Sequence, residues 1–286
     1  MELGRIGIWS GLFYGEDDEV MDAAAELDEL GYGTLWIPNR PNVFERSQAL
    51  LQATRRAVVA SGIASIWTHA AASTAEAHHA ITMAHPGRFL LGLGVSHPHL
   101  VDRDEPGRYT RPVAKMRQYL DELDAATPRV PKEERILAAL GPRMLELARD
   151  RSAGAHPYLT TPDHTRQARE VLGPGALLAP EQAVALETDP ARARAIGRQH
   201  LARYLQAPNY TSNWLRLGFT TDDFAEGGSD RLVDALEAWG GVDIIRDRVA
   251  QHHQAGADHV CIQVVTEDPA ALPRQEWRTL ATALRS

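Results

Sequence analysis

The first side chains that could do chemistry are two histidines that follow a short apolar run. His97 and His99 stand in the sequence Ser96-His-Pro-His99, directly after residues 89–95. Paired histidines after a strand are typical of metal-dependent hydrolases, but such a site needs further histidines and acidic ligands at other strand ends. Other histidines of the chain lie at suitable loops, whereas the matching carboxylates are missing. We therefore expect no metal site.

A second feature is a turn of small residues that could bind an anion. Ala139 and Gly141 end an apolar run, and Pro142 is well placed for the first turn of a helix. The N-terminus of that helix could hold a phosphate, although the turn is neither a P-loop nor a G-x-G-x-x-G motif. Thr160 and Thr161 precede another helix, and their hydroxyls could join the same site. An ordinary turn between strand and helix is the alternative.

Two glycines and one cysteine stand inside apolar runs. Gly92 and Gly94 interrupt residues 89–95, so another group must approach that backbone closely, unless the glycines only relieve crowding inside a barrel. Cys261 is the single cysteine and lies in residues 259–265, which are typical of a buried strand. We interpret Cys261 as a structural thiol. The sequence has no G-x-S-x-G nucleophile motif.

Short β-rich runs alternate with helical segments along nearly the whole chain, which predicts repeated βα units. Apolar residues at helical spacing, such as Val20, Ala24 and Leu27, predict helices that pack outside a sheet. Eight strands are predicted, at residues 5–10, 34–37, 57–64, 89–95, 135–140, 154–159, 259–265 and part of 176–186. This pattern favours an α/β fold, the (β/α)8 TIM barrel, over a doubly wound open sheet with the same order of elements.

One stretch breaks the repeat. Residues 187–241 are predicted to be mostly helical, and we interpret them as an insertion after strand seven. The whole chain, residues 1–286, is then one barrel domain. Active sites of such barrels lie at the carboxyl ends of the strands, which is where His97 and the small-residue turn are placed.

Composition excludes several classes of protein. Of 286 residues, 44% are hydrophobic, and 30 Lys and Arg against 38 Asp and Glu give a net charge of −8. An acidic chain has no general attraction for nucleic acid or for anionic membranes. Neither a signal peptide nor a membrane span is evident, so we expect a cytoplasmic protein that acts on a small molecule.

Taken together, these segments resemble the luciferase-like monooxygenase superfamily, in particular its probable oxidoreductases that use the deazaflavin coenzyme F420. The resemblance covers almost the full chain. It is carried by Leu27-x-x-Leu-Gly-Tyr-Gly-Thr-Leu-Trp-Ile-Pro38, Pro86-Gly-Arg-Phe-Leu-Leu-Gly-Leu-Gly-Val-Ser-His97, Tyr109-x-Arg-Pro-x-x-x-Met116 and Ala138-Ala-Leu-Gly-Pro-Arg-Met-Leu-Glu-Leu-Ala148.

The resemblance implies a barrel whose cofactor ring lies across the C-terminal mouth, and a homodimer. It also implies a non-prolyl cis peptide in strand three, which maps to Gly62-Ile63. Phosphate-binding amides map to residues 138–141 and 154–155. The residues expected to bind the cofactor are Trp36, Gly62, Ile63, Ser65, Gly94, Ser96, Ala138, Ala139, Leu140, Gly141, Gly154, Ala155 and Thr160.

The same mapping places Asn39 and His97 where related dehydrogenases carry proton-transfer or substrate-polarising groups. Relatives more often have Glu or His at the position of Asn39, which cannot titrate near neutral pH. His97 can, since its unperturbed pKa is about 6.5, so we predict that it is the general acid or base. Two further departures are His69-Ala70-Ala71, where relatives often show Arg-Asp-Pro, and the lack of a lysine for the cofactor tail.

The leading hypothesis is therefore hydride transfer between F420 and a small organic substrate, with Trp36 and Trp67 as possible walls of the ring site. An FMN-dependent monooxygenase is the first alternative, because the same fold accommodates either ring. A cofactor-binding protein that has lost catalysis is the second, motivated by Asn39 and by His69-Ala70-Ala71.

Overall fold

A computed structural model describes residues 1–103 and 105–284. At its centre, a parallel sheet curls into a TIM-barrel-like α/β fold, as the sequence predicts. The strands are β1 Ile6–Trp9, β2 Thr34–Ile37, β3 Val58–Ser61, β4 Ala64–Ser65, β5 Phe89–Gly94, β6 Arg135–Leu137, β7 Gly154–Ala155, β8 Leu177–Leu178, β9 Glu181–Ala185, β10 Glu237–Trp239 and β11 Val260–Val264.

Helices follow the strands and cover the outside of the barrel. They are α1 Asp17–Glu29, α2 Val43–Ala53, α3 Ala71–Ala84, α4 Pro98–Val101, α5 Pro112–Ala125, α6 Pro142–Arg151, α7 Pro162–Leu172, α8 Pro190–Leu201, α9 Pro208–Arg216, α10 Asp230–Leu236, α11 Val242–Gln254 and α12 Arg274–Leu284. Helices α8 to α10 fall within the predicted insertion.

The segment 177–185 closes the ring of strands. On one side, the Leu177 amide donates to the Ala153 carbonyl at 2.7 Å. On the other, the Asp258 amide donates to the Leu178 carbonyl at 2.9 Å, and β9 pairs with β11. The strand order then runs from β11 through β1, β2, β3, β5, β6 and β7 to β8. The eight predicted strand positions of the barrel are therefore confirmed.

Two of the predicted strands are each divided in two. The predicted strand 57–64 becomes β3 and β4, and the Gly62–Ile63 peptide between them is cis, as the resemblance implied. The predicted strand within 176–186 becomes β8 and β9. Pro180 stands between these two, and a proline has no amide hydrogen to donate to a ladder.

Strand β10 was not predicted. It lies inside the stretch that the sequence analysis assigned to helices, and Glu237 pairs with Ala183 in parallel register. A strand of three residues is too short to show an alternating apolar pattern. Its first residue is a glutamate, which is uncommon in strands. The insertion therefore returns to the sheet beside β9 before α11 begins.

The core has three parts, one between the sheet and the helices, one inside the barrel and one formed largely by the insertion. The predicted stripe on α1 is confirmed, since Val20, Ala24 and Leu27 are buried against the sheet. Trp36 and Cys261 belong to the smaller cluster inside the barrel and are fully buried. Cys261 is thus a packed thiol, as predicted.

No helix within the described ranges, 1–103 and 105–284, is both long and apolar enough to cross a lipid bilayer.

Four buried histidines make the stability of the fold depend on pH. Burial lowers the pKa of His78, His156 and His259 to about 4 and that of His252 to about 3. The unfolded chain binds these protons near pH 6.5, whereas the folded chain resists them, so the free energy of unfolding falls as the pH drops from about 6.5 toward 4.

We expect each of these histidines to remove up to about 2 kcal/mol of stability between pH 7 and pH 5. Urea unfolding at the two pH values measures the loss. Between pH 7 and pH 5, the free energy of unfolding should fall less in His252→Gln than in the native chain. His85→Gln, at the half-buried C-terminal cap of α3, is the control and should change the pH dependence less than His252→Gln does. Equal pH dependence in His252→Gln and the native chain would contradict this account.

Candidate active site

A backbone bulge at the end of the third barrel strand forms one side of the mouth. The Trp9 indole Nε1 donates to the Gly62 carbonyl at 3.0 Å. Trp9 belongs to the cluster inside the barrel, so this bond holds the bulge from the inner side. Gly94 lies opposite, and a Cβ there would be 2.6 Å from Cγ1 of Ile63. The bulge therefore needs a glycine at position 94, because any side chain would displace Ile63.

Asn39 supports this bulge. Its Oδ1 accepts a hydrogen bond from the Ser65 amide at 2.9 Å, and the Ser65 hydroxyl accepts one from the Trp67 amide at 3.3 Å. The Nδ2 group of Asn39 can donate to a bound molecule while the oxygen accepts from Ser65. The structure thus gives Asn39 a supporting contact with the segment that carries Ser65.

His97 lies half-buried at the mouth, one residue after Ser96, whose φ is +55°. Its Nδ1 is 3.1 Å from Oδ1 of Asn209 in α9, and its ring stacks on His99 with centroids 5.6 Å apart. An amide oxygen only accepts, so Nδ1 carries the hydrogen and Nε2 keeps a lone pair. Burial lowers the pKa of His97, and the nearby His99 adds to this, while the bond to Asn209 opposes it. The imidazole is therefore a neutral base at pH 7.

A group of polar side chains meets in the mouth where the insertion covers the barrel. The Tyr158 hydroxyl donates to Oε1 of Gln263 at 2.8 Å and lies 3.2 Å from Nε2 of His200 and 3.0 Å from the Tyr204 hydroxyl. Nδ1 of His200 is 2.7 Å from Oε1 of Glu237. Tyr158 and Gln263 lie at predicted strand ends, but the sequence predicts no role for any member of this group.

Glu181 is a buried carboxyl beside this group. It has no exposed surface, and its Oε2 accepts a hydrogen bond from the Leu159 amide at 3.0 Å. Burial raises the pKa of Glu181 well above its usual range, and the nearby Glu237 adds to the rise. Burial therefore favours the neutral carboxyl of Glu181, which can donate as well as accept.

The predicted anion turn meets the insertion. Gly141 caps α6, and Nη2 of Arg216 lies 3.6 Å from the point that a Cβ on Gly141 would occupy. The Arg216 guanidinium also donates to Oδ1 of Asn213 at 3.1 Å, and Nε2 of His164 is 2.9 Å from the Leu140 carbonyl. Amides at a helix N-terminus and a guanidinium together suit a phosphoryl group.

Three buried polar atoms near this turn have no hydrogen-bond partner. They are the Thr160 hydroxyl oxygen, Nδ1 of His164 and Nδ2 of Asn213. Each side chain is about nine-tenths buried or more, and an unmade hydrogen bond in such a place costs about 1 to 3 kcal/mol. A bound phosphoryl group would supply acceptors for the Thr160 hydroxyl and the Asn213 amide, whereas Nδ1 of His164 keeps a lone pair because its Nε2 donates to the Leu140 carbonyl. The residues around the turn therefore fit a phosphate-bearing cofactor.

The family model of the luciferase-like monooxygenases matches residues 10–259. The chain belongs to the luciferase-like monooxygenase family. No curated protein matches the sequence significantly.

Solved structures of luciferase-like enzymes share the fold. An F420-dependent secondary alcohol dehydrogenase in complex with an F420-acetone adduct has a TM-score of 0.76 and 13% identity, with each chain fully covered. The coenzyme F420-dependent tetrahydromethanopterin reductase from Methanopyrus kandleri has a TM-score of 0.76 and 14% identity over 100% of this chain and 99% of that one.

A third structure carries a different cofactor. It is the oxygenating constituent of 3,6-diketocamphane monooxygenase from Pseudomonas putida in complex with FMN, with a TM-score of 0.70 and 14% identity. The alignment covers 97% of this chain and 95% of that one. At such identities the likeness shows the fold alone, and it includes enzymes of both cofactor types.

The luciferase-like barrel places the predicted cofactor residues in three groups. The first surrounds the bulge and the strand beside it, and the second surrounds the phosphate turn. The bulge group is Gly62, Ile63, Ser65, Gly94 and Ser96. The turn group is Ala138, Ala139, Leu140, Gly141, Gly154, Ala155 and Thr160.

Trp36 is the third case, because it lies inside the barrel instead of at its mouth. It is fully buried, its ring stacks on His156 with centroids 4.2 Å apart, and its Nε1 donates to Nε2 of His259 at 3.1 Å. The ring of His156 thus occupies one face of Trp36. Trp67 differs, since it lines an open groove of about 400 Å³ together with His69 and Lys115.

No cluster of three or more histidine, cysteine or acidic side chains suited to a metal ion occurs in the part of the chain that the structure describes.

Proposed function

We propose that this luciferase-like protein is an oxidoreductase that transfers a hydride between the deazaflavin coenzyme F420 and a small organic substrate. Such a ring supplies a carbon that accepts or gives a hydride, while the protein supplies orientation and the proton. The observation that carries the proposal is His97, a neutral imidazole with a lone pair at the mouth of the barrel. Removal of a hydride from an alcohol requires a base for the hydroxyl proton, which His97 can accept at Nε2.

The remaining residues bind and orient. Residues 138–141, with Thr160, Asn213 and Arg216, would hold the phosphoryl group of the cofactor, and the bulge at Gly62–Ile63 would support its ring. Tyr210, whose ring centroid is 5.4 Å from that of His97, keeps water from the imidazole. The Asn39 amide is free to donate to a substrate oxygen, since only its Oδ1 contacts Ser65.

An FMN-dependent monooxygenase is the second candidate, and the same phosphate turn favours it. FMN also carries a phosphoryl group, and one solved structure of this fold contains FMN. The two candidates separate in one experiment. The purified protein is titrated with oxidised F420 and, separately, with FMN, and the quenching of the chromophore fluorescence is followed.

Micromolar binding of F420 with weaker binding of FMN is the expected result. Preference for FMN together with oxygen consumption would replace the proposal by the monooxygenase. Tight binding of F420 without turnover on a broad panel of alcohols and carbonyl compounds would favour a protein that has lost catalysis. Binding of neither ring would overturn both cofactor assignments.

Arg216 gives a sharper test of the phosphate turn. We expect Arg216→Ala to weaken the binding of F420 about tenfold, because a charge-assisted contact to the phosphoryl group is lost. The deazaflavin chromophore without its phosphate should bind the variant and the native chain equally well. Arg246→Ala is the matched control, since Arg246 is exposed and pairs with Asp243 of its own helix. An equal loss of affinity for both forms of the chromophore would contradict the assignment.

A further inference from the structure

Asn209 is a side chain of the insertion that reaches the proposed base. It is the second residue of α9 and is half-buried. Its Oδ1 lies 3.1 Å from Nδ1 of His97, although the two residues are 112 positions apart in the chain. The insertion therefore supplies a hydrogen-bond partner to a histidine that the barrel carries.

Helix α9 holds Asn209 in a fixed place. Trp214 of the same helix is fully buried, and its Nε1 donates to the Leu159 carbonyl at 3.1 Å. The ring of Tyr210 is buried and stacks on Trp214, with centroids 5.9 Å apart. The Tyr210 ring also contacts His97, with centroids 5.4 Å apart. Asn209 could leave His97 only if two buried aromatic rings moved with it.

The other nitrogen of His97 is open to the mouth. Nε2 makes no hydrogen bond with the residues that the structure describes, and it is not one of their buried polar atoms without a partner, so solvent reaches it. The titratable side chains in contact with His97 in the described part of the chain are His99 of α4 and Tyr210 of α9. Both are contacts between rings and leave Nε2 available to a bound molecule.

The bond to Asn209 decides which nitrogen of His97 can act as a base. An imidazole in water carries its hydrogen mainly on Nε2, and the partner of one nitrogen sets the state of the other. An amide oxygen only accepts, so it draws the hydrogen to Nδ1 and leaves the lone pair on Nε2. In the opposite tautomer, two acceptors would face each other at 3.1 Å, and Nε2 could not take a proton from a substrate.

A neutral amide also suits a base that has to stay uncharged. When Nε2 takes a proton, the Nδ1–H of the imidazolium donates a charge-assisted bond to Asn209, which is stronger than the bond of the neutral ring. The pKa of His97 is nevertheless lowered, because burial outweighs this bond. A carboxylate in the place of the amide would raise the pKa of His97, since a negative charge favours the imidazolium.

We propose that Asn209 is a positioning residue, which fixes the hydrogen of His97 on Nδ1 so that Nε2 acts as the base. The proposal rests on the proposed function. In alcohol oxidation the hydride leaves the substrate carbon for the ring, the hydroxyl proton goes to Nε2, and the Nδ1 hydrogen stays in place. In the reverse direction Nε2 returns its proton to the carbonyl oxygen. Asn209 gains and loses no proton in either direction.

The first test uses the protein without cofactor or substrate. Histidine labelled with nitrogen-15 is observed by NMR at about pH 7.5, and the resonances of His97 are those missing in His97→Ala. We expect the hydrogen on Nδ1 in the native chain and mainly on Nε2 in Asn209→Leu. Asn209→Asp keeps an acceptor of the same shape, so the hydrogen should stay on Nδ1 and the pKa of His97 should rise.

The second test separates turnover from binding. We expect Asn209→Leu to lower kcat for the reduction of F420 by small alcohols about tenfold, and to leave the dissociation constant of F420 within about threefold. In Asn209→Asp the acidic limb of turnover should move to higher pH, and the rate should approach the native rate above the raised pKa. A merely structural role would lower the stability of a variant without moving this limb.

Asn42→Asp is the matched control. Asn42 is exposed at the start of α2, and its side chain makes no capping hydrogen bond. The variant adds the same charge as Asn209→Asp. It should leave the tautomer of His97 and the acidic limb of turnover unchanged.

The position of one hydrogen decides between the outcomes. A hydrogen on Nε2 of His97 in the native chain would overturn the inference alone, and so would a native tautomer in Asn209→Leu. If Asn209→Leu does not fold, Asn209→Asp decides, because an unchanged pKa of His97 would show that the amide oxygen does not face Nδ1. Failure of the native protein to bind F420 or FMN would overturn the proposed function, and with it the role of Asn209 in turnover.

Discussion

Replacing His97 by alanine is expected to lower turnover by at least about 100-fold, the usual contribution of a general acid or base. The affinity for the cofactor should change by no more than a few-fold, because the contacts of His97 in the structure are to Asn209, His99 and Tyr210 and not to the phosphate turn. Reduction of F420 with a panel of small alcohols measures the first quantity, and fluorescence quenching measures the second.

The dependence on pH should identify the role. As a base in alcohol oxidation His97 must be neutral, and its pKa is lowered below 6.5. Turnover in the native chain should therefore be constant above about pH 6.5 and fall as the pH drops through the lowered pKa. The residual activity of His97→Ala should lack this acidic limb, and added imidazole should restore part of the rate, since the site is half-buried.

His99→Ala is the appropriate control for this experiment. His99 is exposed, stacks on His97 and makes no contact with the bulge or the phosphate turn in the part of the chain that the structure describes. Its loss should change turnover by only a few-fold. Full activity in His97→Ala would contradict the assignment of His97 as the general base.

The second large effect concerns the fold and follows from Gly92. A Cβ at this position would lie 1.8 Å from the Ser61 carbonyl oxygen, an approach that no side chain can make. The Ser61 hydroxyl donates to the Gly92 carbonyl at 2.9 Å and accepts from the Gly92 amide at 2.9 Å, so the two backbones are locked together. We expect Gly92→Ala to cost at least about 4 kcal/mol and to prevent folding at 37 °C.

Soluble yield and urea unfolding measure this loss. Gly175→Ala is the matched control, because a Cβ there would meet nothing within 4 Å. Native yield and an unchanged unfolding midpoint in Gly92→Ala would show that β3 and β5 can separate, and the described register of the barrel would then be wrong.

Gly92 and Gly94 also show how far the sequence predicts the structure. Two glycines inside an apolar strand indicate a close approach, and the structure supplies both approaching groups, the Ser61 carbonyl and the Ile63 side chain. Apolar periodicity likewise predicts the strands and the outer helices, because burial of one face is a local property of the chain.

The partners of the site residues could not be predicted in this way. His200 lies 42 residues from Tyr158 and 37 from Glu237, and only the folded insertion brings the three together. Asn209, the partner of His97, comes from the same insertion. Charged and polar residues on short helices are typical of solvated surfaces, so nothing local distinguishes them. The place of Tyr158 near the carboxyl end of a predicted barrel strand was the signal that could have indicated it.

Strand β10 allows the insertion to vary in evolution without disturbing the barrel. The chain leaves the barrel after β9 and comes back through β10, which lies directly beside β9 with Ala185 opposite Trp239. Adjacent strands are about 4.8 Å apart, so the two ends of the excursion are neighbours whatever lies between them. Segments of other lengths can be exchanged there without altering the register of the eight principal strands. Because the same excursion carries His200, Asn209 and Tyr210, each exchange would bring a new set of groups over an unchanged barrel.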